Sequence, residues 1–162
     1  MKQGTLILIS GLPGAGKTTF AKKIEHERNA LRLCPDDWIA YILEDKKNIK
    51  EMDRLRDPVE QLLWKTAQRL LALGATVILE NGFWPKSERD LYRDTAKKLG
   101  AKVELVFVHA PMEILWERVN KRNEHPDTVI MITRENLEDW KTLFEEPTEE
   151  EGSAYDSYTK VE

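Results

Sequence analysis

The chain has 162 residues, 41% of them hydrophobic and 33% charged, which is enough apolar side chain for one domain's core and excludes wholesale disorder. No apolar run is long enough to span a bilayer, and Cys34 is alone, so an internal disulfide is excluded. The net charge of −4 divides unevenly: 23 Lys and Arg against 19 Asp and Glu over residues 1–134, then 2 against 10 over residues 135–162. A dedicated nucleic-acid binder would carry a basic excess, and the acidic end, which includes the C-terminal segment 145–162, reads as a solvated face.

Thr5 to Ser10 is a short β-branched, apolar run, expected as a strand buried on both faces. It leads into Gly-Leu-Pro-Gly rather than a small-residue cleavage site, so it is no signal peptide and the expected compartment is the cytoplasm. Residues 17–28 carry Phe20, Ala21 and Ile24 on one side and charges on the other, as in an amphipathic helix. Leu31 to Cys34 alternates as a second strand. Asp36 and Asp37 then open a helix through about Glu44 by capping its free N–H groups.

Residues 45–57 are charged and read as a loop or a poorly packed helix. Asp57-Pro58 reads as a helix start, with Val59, Leu62, Leu63, Thr66, Leu70 and Leu73 on the apolar stripe and Gly74 as the stop. Ala75 to Glu80 is a third strand, followed by a loop from Asn81 to Trp84 and a helix from Pro85 to Leu99. Lys102 to His109 is a fourth strand, and Pro111 starts a helix to about Lys121. Arg122 to Thr133 reads as a loop, Arg134 to Phe144 as a last helix, and Tyr155 to Val161 as an edge strand. Trp38, Trp64, Trp116 and Trp140 occupy apolar helix positions and are expected in the core, with Trp38 near enough to a cleft to line it. Strands alternating with amphipathic helices imply a parallel sheet covered on both faces, with ligands at the carboxyl ends of the strands.

At the first such end stands Gly11-Leu12-Pro13-Gly14-Ala15-Gly16-Lys17-Thr18-Thr19. Gly11, Gly16, Lys17 and Thr18 satisfy the phosphate-loop pattern. The glycines let backbone N–H groups converge on phosphate oxygens, and the following helix offers its positive end. Lys17 can reach the β- and γ-phosphates, and the Thr18 hydroxyl can ligate Mg²⁺. Chance supplies these four residues in a chain this long on the order of one per cent of the time or less, which favours a nucleotide site over a plain turn. The guanine signature Asn-Lys-x-Asp is absent, since Asn120-Lys121-Arg122-Asn123 lacks the Asp, so ATP is expected by elimination.

The other strand ends add chemistry. Asp36 or Asp37 can take the proton of an attacking hydroxyl, and Asp37 can help hold a metal, although either can simply cap its helix. Glu80 ends the third strand, where it can orient Mg²⁺. Phe83 and Trp84 suit either an aromatic wall for an acceptor or a plug over the sheet end. Arg118 and Arg122 lie one helical turn apart on one face, and with Arg134 they bracket residues 123–133, a pattern that suits a short lid over a transferring phosphoryl group. The three histidines show no zinc spacing, His109 reads as structural, and Cys34 reads as a small buried hydrophobe.

From Leu6 to Arg122 these motifs resemble the small P-loop kinases of the polynucleotide kinase, zeta-toxin and chloramphenicol phosphotransferase type, grouped with AAA-like ATP-binding proteins. The resemblance implies an α/β fold: a three-layer α/β/α P-loop NTPase with a five-stranded parallel sheet in the order 2-3-1-4-5. It also implies Asp36 as general base and Arg122 as the arginine on the transferring phosphoryl group. Ile39 stands where polynucleotide kinases carry an arginine for the acceptor's phosphate, and Glu80 stands where such enzymes have Asp. The expectation is one domain over residues 1–162 that uses ATP and Mg²⁺ to phosphorylate a small hydroxyl compound such as a sugar, nucleoside or antibiotic. It would act as a monomer or homodimer, with neither membrane nor nucleic acid as partner. The alternatives are a polynucleotide 5′-hydroxyl kinase and a non-catalytic ATP-binding regulator that docks a partner through its acidic end.

Overall fold

Apolar residues alternate in direction along the first strand, and that alternation builds two cores. In the computed structural model, which describes residues 2–45, 47–128 and 131–162, strand β1 spans Thr5–Ser10. Its Leu6 and Leu8 face one core, and its Ile7 and Ile9 face the other. Lys46, in the stretch expected as a loop, and Val129 and Ile130, in the expected lid, lie outside the described residues.

In chain order the remaining elements are α1 (Lys17–Arg28), β2 (Leu31–Leu33), α2 (Pro35–Ile42), α3 (Ile49–Ala72), β3 (Thr76–Gly82) and α4 (Lys86–Lys98). They are followed by β4 (Lys102–Val108), α5 (Met112–Asn123), α6 (Arg134–Leu143), α7 (Glu149–Gly152) and β5 (Ser157–Val161). The five strands form one sheet in the order β2-β3-β1-β4-β5, and every neighbouring pair is parallel. Helices α3 and α4 bury Leu63, Ala67 and Ala96 against one face; α1, α5 and α6 bury Ala21, Leu115 and Leu137 against the other. This is the three-layer α/β/α order that the resemblance implies. No helix among the described residues is long and apolar enough to cross a membrane.

Several expectations are corrected. Helix α3 starts at Ile49 rather than at Pro58, because Asn48 caps it by accepting the Glu51 N–H at 3.1 Å. Pro58 removes one internal hydrogen bond, but Met52 before it and Val59 after it bury in the same core and carry the helix across. The inward stripe of α3 is Met52, Val59, Leu63, Ala67 and Leu71, so Leu62 and Leu73 are exposed and Thr66 is only half-buried. Trp38 is 42% exposed and no core residue, whereas Trp64, Trp116 and Trp140 pack partly buried against the cores. Helix α5 reaches Asn123, so Arg122 sits in its last turn instead of in a loop.

Strand β3 also runs two residues beyond Glu80. Leu8 pairs with Leu79 but Ser10 pairs with Gly82, so β3 holds one extra residue around Glu80 and Asn81. Such a bulge re-aims side chains at the end of a strand. The acidic end is only partly a solvated face: Glu151 is buried, and Ser157–Val161 closes the sheet beside β4.

Candidate active site

The loop after β1 is shaped by its glycines. Gly14 (φ 83°) and Gly16 (φ 104°) are both left-handed, and Gly16 forms the N-cap of α1 without a side-chain cap. The first N–H groups of α1 therefore have no intrahelical partner and point outward with the positive end of the helix. A Cβ on Gly14 would meet the Leu115 carbonyl oxygen at 2.8 Å, so α5 backs directly onto the loop. Leu12 and Ala15 turn their side chains into the core, leaving only their backbone to face a ligand.

Four neighbours hold this loop in place. The Gly11 N–H donates to the Gly82 carbonyl at 3.0 Å, and the Ser10 hydroxyl donates to the Phe83 carbonyl at 3.1 Å. Trp84 Nε1 donates to the Gly11 carbonyl at 3.4 Å. From α5, Arg118 Nη1 donates to the carbonyls of Gly14 at 3.2 Å and Ala15 at 3.1 Å. Phe83 is fully buried with φ 49°, so it plugs the sheet end while Trp84 braces the loop; both also border the cleft.

The cleft itself holds about 1080 Å³ and gathers most of the expected residues: Pro13, Gly14, Gly16, Lys17, Thr18 and Thr19 from the loop, Asp36 and Asp37 from α2, Glu80 from β3, and Arg118 and Arg122 from α5. Arg134 is elsewhere, paired at the surface with Glu113 and Glu138. Trp38 is not among the residues lining the cleft. His125, Asp127, Thr128, Met131 and Ile132 border it from the stretch between α5 and α6. Cys34 is buried, and burial pushes its thiol up to about 11, in keeping with a structural role.

Lys17 Nζ donates to the Leu12 carbonyl at 3.0 Å. Withdrawal from solvent pulls its ammonium down to about 8, against the opposing pull of the Glu80 and Asp36 carboxylates. Thr18 donates its hydroxyl to Glu80 Oε1, and Arg32 Nη1 donates to Glu80 Oε2 at 2.8 Å. Arg32 also donates to Asp37, so this one guanidinium bridges Glu80 and Asp37. Asp36 is exposed and accepts from Arg56 Nη2 at 3.0 Å. Among the described residues Arg122 makes no side-chain hydrogen bond or ion pair, unlike Arg118.

The oxygens suit magnesium. Thr18 Oγ1 and Glu80 Oε1 touch at the mouth of the phosphate loop, and no three His, Cys, Asp or Glu side chains cluster for a metal among the described residues. Mg²⁺ is ordinarily held in this way, by one or two protein oxygens together with substrate phosphates and water.

Arg32 and Arg56 were not legible as site residues. Arg32 stands in the middle of β2, in register with Ile78 two residues before Glu80; a lone cation on a strand next to one ending in Glu is the signal that points to it. Arg56 reaches Asp36 only through the packing of α3 on α2, which a separation of 20 positions in sequence conceals.

Comparison with known proteins agrees with this geometry. The AAA domain family model matches residues 6–147. A gluconokinase of Arabidopsis thaliana is 28% identical over 138 residues, covering 80% of this chain and 73% of the relative. A UPF0200 protein of Saccharolobus islandicus is 30% identical over 132 residues, covering 76% and 67%. The chain spans about two-thirds of the length of the first curated relatives it matches. Among solved structures, Kti12 of Chaetomium thermophilum in complex with ADP-AlF3 superposes with a TM-score of 0.67 at 20% identity, over 96% of this chain and 88% of that one, a likeness of fold. Sheet order, phosphate loop and family match converge: the chain belongs to the AAA domain family and is of the small P-loop kinase type.

Proposed function

We propose that the protein is an ATP- and Mg²⁺-dependent kinase that transfers the γ-phosphoryl group to a hydroxyl of a small molecule. The observation that carries this reading is one cleft holding the phosphate loop, Lys17, Arg122 and Asp36 together. The amides at the start of α1 and the Lys17 ammonium bind the β- and γ-phosphates. Asp36 takes the proton of the acceptor hydroxyl as its oxygen bonds to the γ-phosphorus, and the bridging oxygen leaves with ADP. Arg122 neutralises the charge on the transferring oxygens, while Arg118 keeps the loop in shape. Thr18 and Glu80 would hold Mg²⁺, which supplies charge neutralisation across the phosphates when bound. Asp37 orients Arg32, and through it Glu80. Residues 1–162 act as one unit in this reading. Relatives named gluconokinase and, in Aeropyrum pernix, probable adenylyl-sulfate kinase support a phosphotransferase.

The test is a screen of hydroxyl compounds, including a 5′-hydroxyl oligonucleotide, for ATP-dependent gain of one phosphoryl group. Asp36→Asn is expected to lower transfer by about 10²- to 10⁴-fold while ATP still binds, the usual contribution of a general base. Normal turnover by Asp36→Asn would remove Asp36 from its role.

A further inference from the structure

The cleft is electrically two-sided. Its phosphate-loop wall carries the cations Lys17, Arg118 and Arg122; the opposite walls, from α2, α3 and the start of α4, carry Asp36, Asp53, Glu60 and Glu88. Arg56 is the only cation lining those walls among the described residues, and it is already engaged, with Nη2 3.0 Å from Asp36 and Nη1 3.6 Å from Glu60. Apolar side chains, Ile39, Leu43, Met52 and Phe83, floor this arm and are buried. Asn81 also lines the cleft, with its Oδ1 shut off from solvent and its amide beside the Tyr92 side chain.

These groups share one chemistry. Ionised carboxylates only accept hydrogen bonds, so the arm asks for a ligand rich in donors. Burial pushes the Glu60 carboxyl up to about 7 against the pull of Arg56, with neighbouring Glu88 adding to the rise, and burial raises Glu88 as well. Arg56 opposes that rise at Glu60 and Arg89 opposes it at Glu88, but burial outweighs both, and an ammonium group would add to the counter-charge.

We infer that the acceptor arm selects alcohols carrying a protonated amine, such as amino sugars or amino alcohols, over neutral and anionic alcohols. The inference rests on the kinase reading and names its substrate class. A carboxylate or phosphate on the acceptor would have to enter beside Asp53, Glu60 and Glu88, with Arg56 already committed, and that repulsion acts as exclusion.

The test uses the full chain saturated with Mg²⁺ and a non-hydrolysable ATP analogue, titrated calorimetrically with matched sets: 2-amino-2-deoxyglucose, glucose and gluconate; serinol, glycerol and glycerate. In at least one set the amine is expected to bind about tenfold or more tighter than the neutral member, with the carboxylate weakest. Glu60→Gln with Glu88→Gln is expected to bring amine and neutral member within about threefold of each other. Should that double variant fail to fold, exposed Asp53→Asn serves instead and is expected to reduce the preference about threefold. A neutral or carboxylate member that binds as well as the amine, no binding in any set, or a preference unchanged in the folded variants would overturn the inference while the kinase reading stands. Failure of the ATP analogue to bind in the same cell would sink the kinase reading, and the inference with it.

Discussion

Arg89 and Glu151 meet in the interior through two parallel hydrogen bonds, Nε to Oε1 at 2.7 Å and Nη2 to Oε2 at 2.9 Å. The remaining nitrogen of Arg89, Nη1, donates to the carbonyls of Phe83 at 2.7 Å and Trp84 at 2.9 Å. That segment in turn holds Ser10 and Gly11 at the start of the phosphate loop. A buried ion pair therefore ties the acidic end of the chain to the wall of the cleft.

Removing one partner of this pair leaves the other as an uncompensated buried charge. Glu151→Ala is expected to cost about 3–5 kcal/mol, the range for breaking a buried pair. Thermal unfolding would read this as a midpoint lower by roughly 10 °C for a chain of this size. Glu151→Gln keeps an acceptor for Arg89 and is expected to cost less. Equal stability of Glu151→Ala and the native chain would show that the pair is not needed.

Lys17 gives a pH dependence. With its ammonium drawn down to about 8 by desolvation, it is charged at neutral pH and loses its proton above pH 8. Bound phosphate would favour the charged form and raise that value, so ATP binding takes up a proton above about pH 8. Affinity is expected to be flat below pH 7 and to fall by up to about tenfold per unit as pH rises past 8. Calorimetry in buffers of different ionisation enthalpy checks this: the heat at pH 8.5 should depend on the buffer and the heat at pH 6.5 should not. Affinity that rises above pH 8 would contradict the assignment.

The two arginines of α5 separate by role. Arg118 is bonded to the Gly14 and Ala15 carbonyls, so Arg118→Ala is expected to loosen the loop and weaken ATP binding. Arg122 has no such task, and Arg122→Ala is expected to lower kcat by about 10²- to 10³-fold, as loss of one transition-state donor does, with little change in ATP affinity. Steady-state kinetics beside ATP titration tells the two apart; the reverse pattern would exchange their roles.

Local patterns made much of this legible. Apolar β1 followed by four diagnostic loop residues fixes the nucleotide end, and Asp36 and Asp37 stand out as acids after a strand. Less legible were features that depend on contacts between distant segments. Pro58 looks like a first helical residue, and only the burial of Met52 and Val59 in one core carries α3 through it. The bulge around Glu80 and Asn81 depends on register with β1, which no local pattern encodes. Glu151 is hidden by composition, because one buried acid among many exposed ones leaves the charge count unchanged.

The most direct test of the account is calorimetric titration of Mg²⁺ and ATP into the native chain and into Lys17→Ala. The account predicts uptake of a single ATP per chain, weakened about 10- to 100-fold without the Lys17 ammonium, the worth of a charge-assisted contact to phosphate. Absence of uptake by the native chain, or equal affinity in the two proteins, would contradict it.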